Sequence, residues 1–169
     1  MSNFTLFAAA NSRLLTDIIL IRLRRAKIKC DAISVLCPSN SIPHAMDCWL
    51  PITRQSKLMA GPSVITCAGQ LRKNAEVEAK ATTRGQGIFN LLTHAGVDAM
   101  GAHALIERLQ EGHNVVGVTA KTEEEALIAL QVFRHAGAES IVVNNPSRRG
   151  STRSAGRLPA FLSWVSTAA

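Results

Sequence analysis

Between His113 and Asn145 the apolar positions change period twice, from a continuous run to a helical stripe and back. Asn114 to Thr119 is a short β-branched run suited to a buried strand. Thr122 then stands as a helix N-cap, with Glu125 three residues on in the pattern of a capping box. Glu123, Glu124 and Glu125 crowd the positive end of the helix dipole, and Arg134 and His135 sit near its negative end. Gly137 supplies the left-handed residue that releases the chain. Leu127, Leu130 and Phe133, with Ala126 and Ala129, form the inward stripe, and Ser140 to Val143 follows as the returning strand. The stretch predicts a complete βαβ unit.

The N-terminal end repeats this pattern. Phe4 to Ala9 reads as a strand, and Asn11 or Ser12 caps a helix running to about Lys27. Leu14, Leu15, Ile18, Ile19 and Leu23 have helical spacing, while Leu20 and Ile21 make the middle of this helix apolar nearly all round. Its cover is either a partner subunit or the chain's own middle segment. Ala32 to Cys37 is the next strand, stopped by Pro38. Setting Phe4 against Asn114 aligns strand with strand, Ser12 with Thr122 and Leu20 with Leu130. After a two-residue shift Asp31 meets Glu139, Ile33 meets Ile141, and Pro38-Ser39 meets Pro146-Ser147. Two βαβ halves of one ancestor account for this economically.

The middle is less regular. Ser39 to Gly61, with Pro43 and Pro51 inside it, a lone Trp49, and His44, Met46 and Cys48 close together, reads as irregular. Ser63 to Ala68 has strand composition. Gln70 to Gln86 is polar enough for a linker or an exposed helix, with Glu76, Glu78 and Lys80 solvated. Ile88 to Ala95 predicts a short helix ending at Gly96. Asp98 caps another, with Ala102, Leu105, Ile106 and Leu109 facing inward and Gly112 closing it.

Three pieces, AISVLCPSN, GVDAMGAHALIERLQEGHNVVGV and EEEALIALQVFRHAGAESIVV, together resemble the general stress protein domain of the YflT type, also called heat-induced stress proteins. In these bacterial proteins a βαβ half and a helix–βαβ half flank a central insertion. The resemblance covers the two ends of the chain. It implies the fold and a stress or regulatory context, and it brings no active site or cofactor. Relatives of that type carry a Gly/Ala-rich apolar hairpin in the middle, which implies membrane contact or self-association; here Ser39 to Gln86 is mixed, polar and Pro-containing.

A chain of 169 residues, 47% of them hydrophobic, can bury one good core. The expected division is one domain over residues 1–145, with half-repeats at about 4–38 and 113–145 and an insertion at 39–112, followed by a basic tail at 146–169. The net charge is +7, and Arg148, Arg149, Arg153 and Arg157 all follow Pro146, where there is no acid. With Arg22, Arg24 and Arg25 at the end of the first helix they are the candidate contacts for an anion or nucleic acid. Lys27 and Lys29 extend that basic rim. Five Phe, two Trp and no Tyr leave little for base stacking. Residues 147–157 should be mobile, and Phe161, Leu162, Trp164 and Val165 are spaced to form one apolar face.

Catalytic and metal-binding patterns do not emerge. Cys30, Cys37, Cys48 and Cys67 match neither a zinc knuckle nor a CxxC redox pair and read as reduced, mostly buried thiols. His44 and Cys48 lack a second ligand pair, and His94, His103, His113 and His135 are scattered. Gly85 and Gly87 lack the Lys-Ser/Thr of a phosphate loop, and no GxSxG elbow occurs. No cofactor is expected. The N-terminus lacks the basic start of a secretory signal, and Ile18 to Ile21 is far short of a membrane span, so a cytoplasmic protein is expected.

The expected fold is α+β, a ferredoxin-like sandwich of two βαβ halves forming one sheet with helices on one face; strand order stays open. The expected function is that of a small non-enzymatic stress or regulatory module working through homo-oligomerisation or a protein partner. The alternatives are a nucleic-acid binder using the arginine tail, and a small-ligand sensor using the cleft between the halves.

Overall fold

The strand at the heart of the sheet, Asn114–Ala120, is apolar on both sides, and both sides are covered. A computed structural model describes residues 3–44, 56–60, 63–81 and 86–144. Its strands are β1 Phe4–Ala10, β2 Ile33–Pro38, β3 Ser56–Ala60, β4 Ser63–Gly69, β5 Asn114–Ala120 and β6 Glu139–Asn144. The described helices are α1 Arg13–Arg25, α2 Arg72–Ala81, α3 Gly87–His94, α4 Ala99–Gln110 and α5 Glu123–Ala136. All six strands form one antiparallel sheet in the order β3-β4-β2-β5-β1-β6. Since α1 joins β1 to β2 and α5 joins β5 to β6, each βαβ unit places a strand between or beside those of the other.

Alternation along each strand divides the apolar side chains between two cores. Leu6, Ala8 and Ala10 of β1, Ile33, Val35 and Cys37 of β2, and Val116, Val118 and Ala120 of β5 meet Ile19, Leu20 and Leu23 of α1 and Ala126, Ala129, Leu130 and Phe133 of α5. Phe7, Ala9, Leu36, Ile65, Cys67 and Val115 point the other way, against Ala75 of α2, Ile88, Leu91 and Leu92 of α3, and Ala102, Leu105 and Leu109 of α4. The expectation of helices on one face is therefore corrected. It holds for α1 and α5; the middle segment builds a second helical layer on the opposite face, because residues such as Phe7 and Val115 would otherwise stand in water.

Close packing across the central pair shows at Gly117, which lies opposite Phe7 in the β1–β5 register. A Cβ built there would stand 2.5 Å from the Phe7 ring. The ring occupies the space that a side chain would take.

Two further readings of the middle segment change. Ser56–Ala60, within the stretch expected to be irregular, is strand β3 and pairs with β4 from Ser56↔Cys67 to Ala60↔Ser63. Its sequence, SKLMA, has no β-branched residue, so its strand form follows from pairing. In α2 the polar face is not where it was expected: Glu78 is buried and Val77 is exposed. Residues 45–55 and 145–169, which include Met46, Cys48 and Trp49, the four tail arginines and the apolar ending, lie outside the described residues.

Candidate functional site

The basic rim lies at the end of α1, and its shape begins with how that helix stops. The amide of Lys27 donates to the Arg24 carbonyl at 2.9 Å and that of Ile28 to the Leu23 carbonyl at 3.0 Å. This is a Schellman closure with Lys27 in the left-handed region at φ 64°. The helix thus ends at Arg25 and not at Lys27. Arg22, Arg24, Arg25, Lys27 and Lys29 are exposed.

The same end of the molecule carries acids. A cleft of about 40 Å³ is lined by Ile28, Lys29, Asp31 and Ala32 of the first unit and by Val118, Thr119, Ala120, Lys121 and Glu125 of the second. It lies between the two units, where a ligand-sensing cleft was expected, and it has room for a few water molecules. Because α5 starts here, its first-turn acids Glu123, Glu124 and Glu125 share this end with the cations of α1. A phosphate approaching Arg22 to Lys29 meets a mixed field.

Three buried or half-buried polar clusters were not legible as such. Asn114 has no exposed surface. Its Nδ2 donates to Thr16 Oγ1 at 3.0 Å and to the Ser41 carbonyl at 3.1 Å, and Thr16 Oγ1 donates in turn to the Ser12 carbonyl at 2.9 Å. A carbonyl can only accept, so the amide orientation is settled. Asn114 Oδ1 is left without a partner among the described residues. The cluster ties β5 to the start of α1 and to the chain after β2.

Between α2 and α3, Glu78 accepts from Asn90 Nδ2 at 3.3 Å, and its other oxygen lies 3.1 Å from His94 Nδ1. The pair orients His94, whose side chain is largely exposed. On α4, Arg108 Nε donates to Ser140 Oγ at 3.2 Å and Nη1 to Glu111 at 2.9 Å, with Glu139 at 3.7 Å. Ser140 has φ 48°, and the β1–β6 register shifts beside it, so Arg108 braces a bulge at the start of β6. Each cluster joins residues far apart in the chain, and no local spacing announces it.

Cys37 and Cys67 are buried, and desolvation pushes both thiols up to about 12; for Cys67 the nearby Cys37 adds to the effect. They lie on neighbouring strands but in opposite cores. At neutral pH both are protonated, unsuited to nucleophilic or metal-ligating work. Among the described residues no three of His, Cys, Asp and Glu come together as a metal-binding group, and no helix is long and apolar enough to cross a membrane.

Some apolar side chains stay outside both cores. Leu14 is 70% exposed on α1 and Met100 83% exposed at the start of α4. Ile18 and Ile21 of α1 are half-buried, as is every residue of β6. Comparison of the chain with family models, with curated proteins and with solved structures found no match in any of the three.

Proposed function

We propose that the chain is a small non-enzymatic module that acts by self-association, in the stress or regulatory setting implied by its resemblance to the general stress protein domain of the YflT type. The observation that carries this reading is the apolar surface left open on two elements, Leu14 with Ile18 and Ile21 on α1, and the half-buried strand β6. Exposed apolar groups that are contiguous mark interaction surfaces more often than chance exposure does. The order β2-β5-β1-β6, with α1 and α5 on one face, supports a ferredoxin-like core made of two related βαβ halves. Ser12 and Thr122 holding the same cap role supports the repeat as well. A cytoplasmic setting belongs to this reading.

Light scattering of the full chain at high micromolar concentration tests it: an oligomer is expected, and a monomer throughout would sink it. The nucleic-acid reading draws on the exposed Arg22, Arg24 and Arg25, and the acids at the same end weigh against it. Adding mixed-sequence RNA or DNA to the same measurement separates the two, since binding through these arginines would weaken steeply with salt.

A further inference from the structure

Self-association needs a seam, and the two edges of the sheet are not equivalent. Among the described residues β6 pairs with β1 alone, so its outer row of backbone groups is unpaired there. The bulge at Ser140 disturbs only its start. From Ile141 to Asn144 the strand carries no Lys, no Pro and no acid, the residues that usually blunt a sheet edge. The opposite edge, β3, has Lys57 exposed within it. Past its polar start, where Arg108 meets Ser140 and Glu139, β6 has apolar groups on both faces. Ile141 and Val143 pack against the α1–α5 core while remaining partly exposed. On the other face Val142 approaches Gly101, and the adjoining Met100 is open to solvent.

We propose that β6 is the seam at which a second copy of this chain adds its own β6, antiparallel, joining two six-stranded sheets into one continuous sheet. The inference rests on the self-association reading and names its surface. A second copy fits because a two-fold axis matches the run SIVVN to itself, so that each copy offers the unpaired backbone the other needs. The antiparallel sense follows from charge. It sets Glu139 of one copy near the Asn144 end of the other, whereas a parallel pair would put two Glu139 side by side.

The test uses the full chain in two measurements. Sedimentation velocity across a concentration series gives the dimer affinity of the native chain and of Met100→Lys, a change at an exposed position that leaves the cores untouched. Amide hydrogen exchange at dilute and concentrated protein reads β6 directly. The expected result is a dimer weakened about tenfold or more by Met100→Lys, with outward amides of Ile141 to Asn144 exchanging at least about tenfold more slowly in the concentrated sample. If the chain associates but β6 exchange is independent of concentration and Met100→Lys has no effect, the seam lies elsewhere and self-association stands. If the native chain is monomeric at every concentration, the self-association reading fails and the seam with it.

Discussion

The helices α1 and α5 fill matching places, each crossing between two strands of its own βαβ unit and delivering its apolar face to the same core. Their ends are determined differently. At α5, Thr122 Oγ accepts from the Glu125 amide at 3.2 Å, and the Glu125 carboxylate accepts from Lys121 N at 2.9 Å, one residue before the position a reciprocal capping box uses. Three acids occupy its first turn, and Gly137 takes the left-handed position at φ 78°. At α1, Ser12 Oγ accepts from Leu15 N at 3.2 Å, but the first turn has no acid. The left-handed position falls to Lys27. Both helices nonetheless close with the same two hydrogen bonds, Gly137 N and Ala138 N donating to Arg134 and Phe133 as Lys27 N and Ile28 N donate to Arg24 and Leu23. Ile28, buried just past α1, anchors a closure that its own backbone residue disfavours. Local chemistry therefore suffices for α5, while α1 leans on the core.

The contrast can be broken first with alkali. The first unit carries the buried Cys37 and the middle segment the buried Cys67, while the second unit has no cysteine. Both thiols rise from 9.0 to about 12 on folding, so the unfolded chain loses protons that the folded chain keeps. Their contribution to stability is complete below pH 9 and is lost as pH rises towards 12, at roughly 1 kcal/mol per pH unit for each thiol. Denaturant midpoints under reducing conditions should show this fall, and the Cys37→Ala, Cys67→Ala double variant should flatten it.

A second test strikes where the units interlock. Gly117→Ala should cost about 1–3 kcal/mol, because the new methyl group overlaps the Phe7 ring. Adding Phe7→Leu should recover part of that loss, and strictly additive costs in a double-mutant cycle would show that the ring is not the obstacle. At the helix starts, Thr122→Ala and Ser12→Ala should each cost about 1 kcal/mol by the midpoint of urea unfolding. An unchanged midpoint and slope for Thr122→Ala would mean that α5 begins elsewhere. The smallest effect should be a gain. Lys27→Gly relieves the left-handed strain and should stabilise the chain by about 0.5 kcal/mol, whereas Gly137→Lys in the other unit should destabilise it. Thermal unfolding of the two variants reads both signs.

The features legible along the chain are those that neighbouring residues settle between them. Thr122 and Asp98 cap the helices they were expected to cap, and of the two candidates Asn11 and Ser12 it is Ser12 that caps α1. Gly96, Gly112 and Gly137 take positive φ at the helix ends where release was expected. Strands β1, β2, β4, β5 and β6 fall within a residue or so of their expected bounds, because continuous apolar or β-branched runs have few other ways to be buried. The rim arginines at the end of α1 were legible for the same reason. The acids of α5 that share their end of the molecule were also legible, but their proximity was not. Long-range packing settled that, along with the strand order and the second helical layer. It also decided that SKLMA becomes a strand beside β4 and that Glu78 turns inward to meet Asn90 and His94 while Val77 turns out. Each of these depends on partners far away in the chain, whose hydrogen bonds and buried surface outweigh local preferences of a few tenths of a kcal/mol per residue.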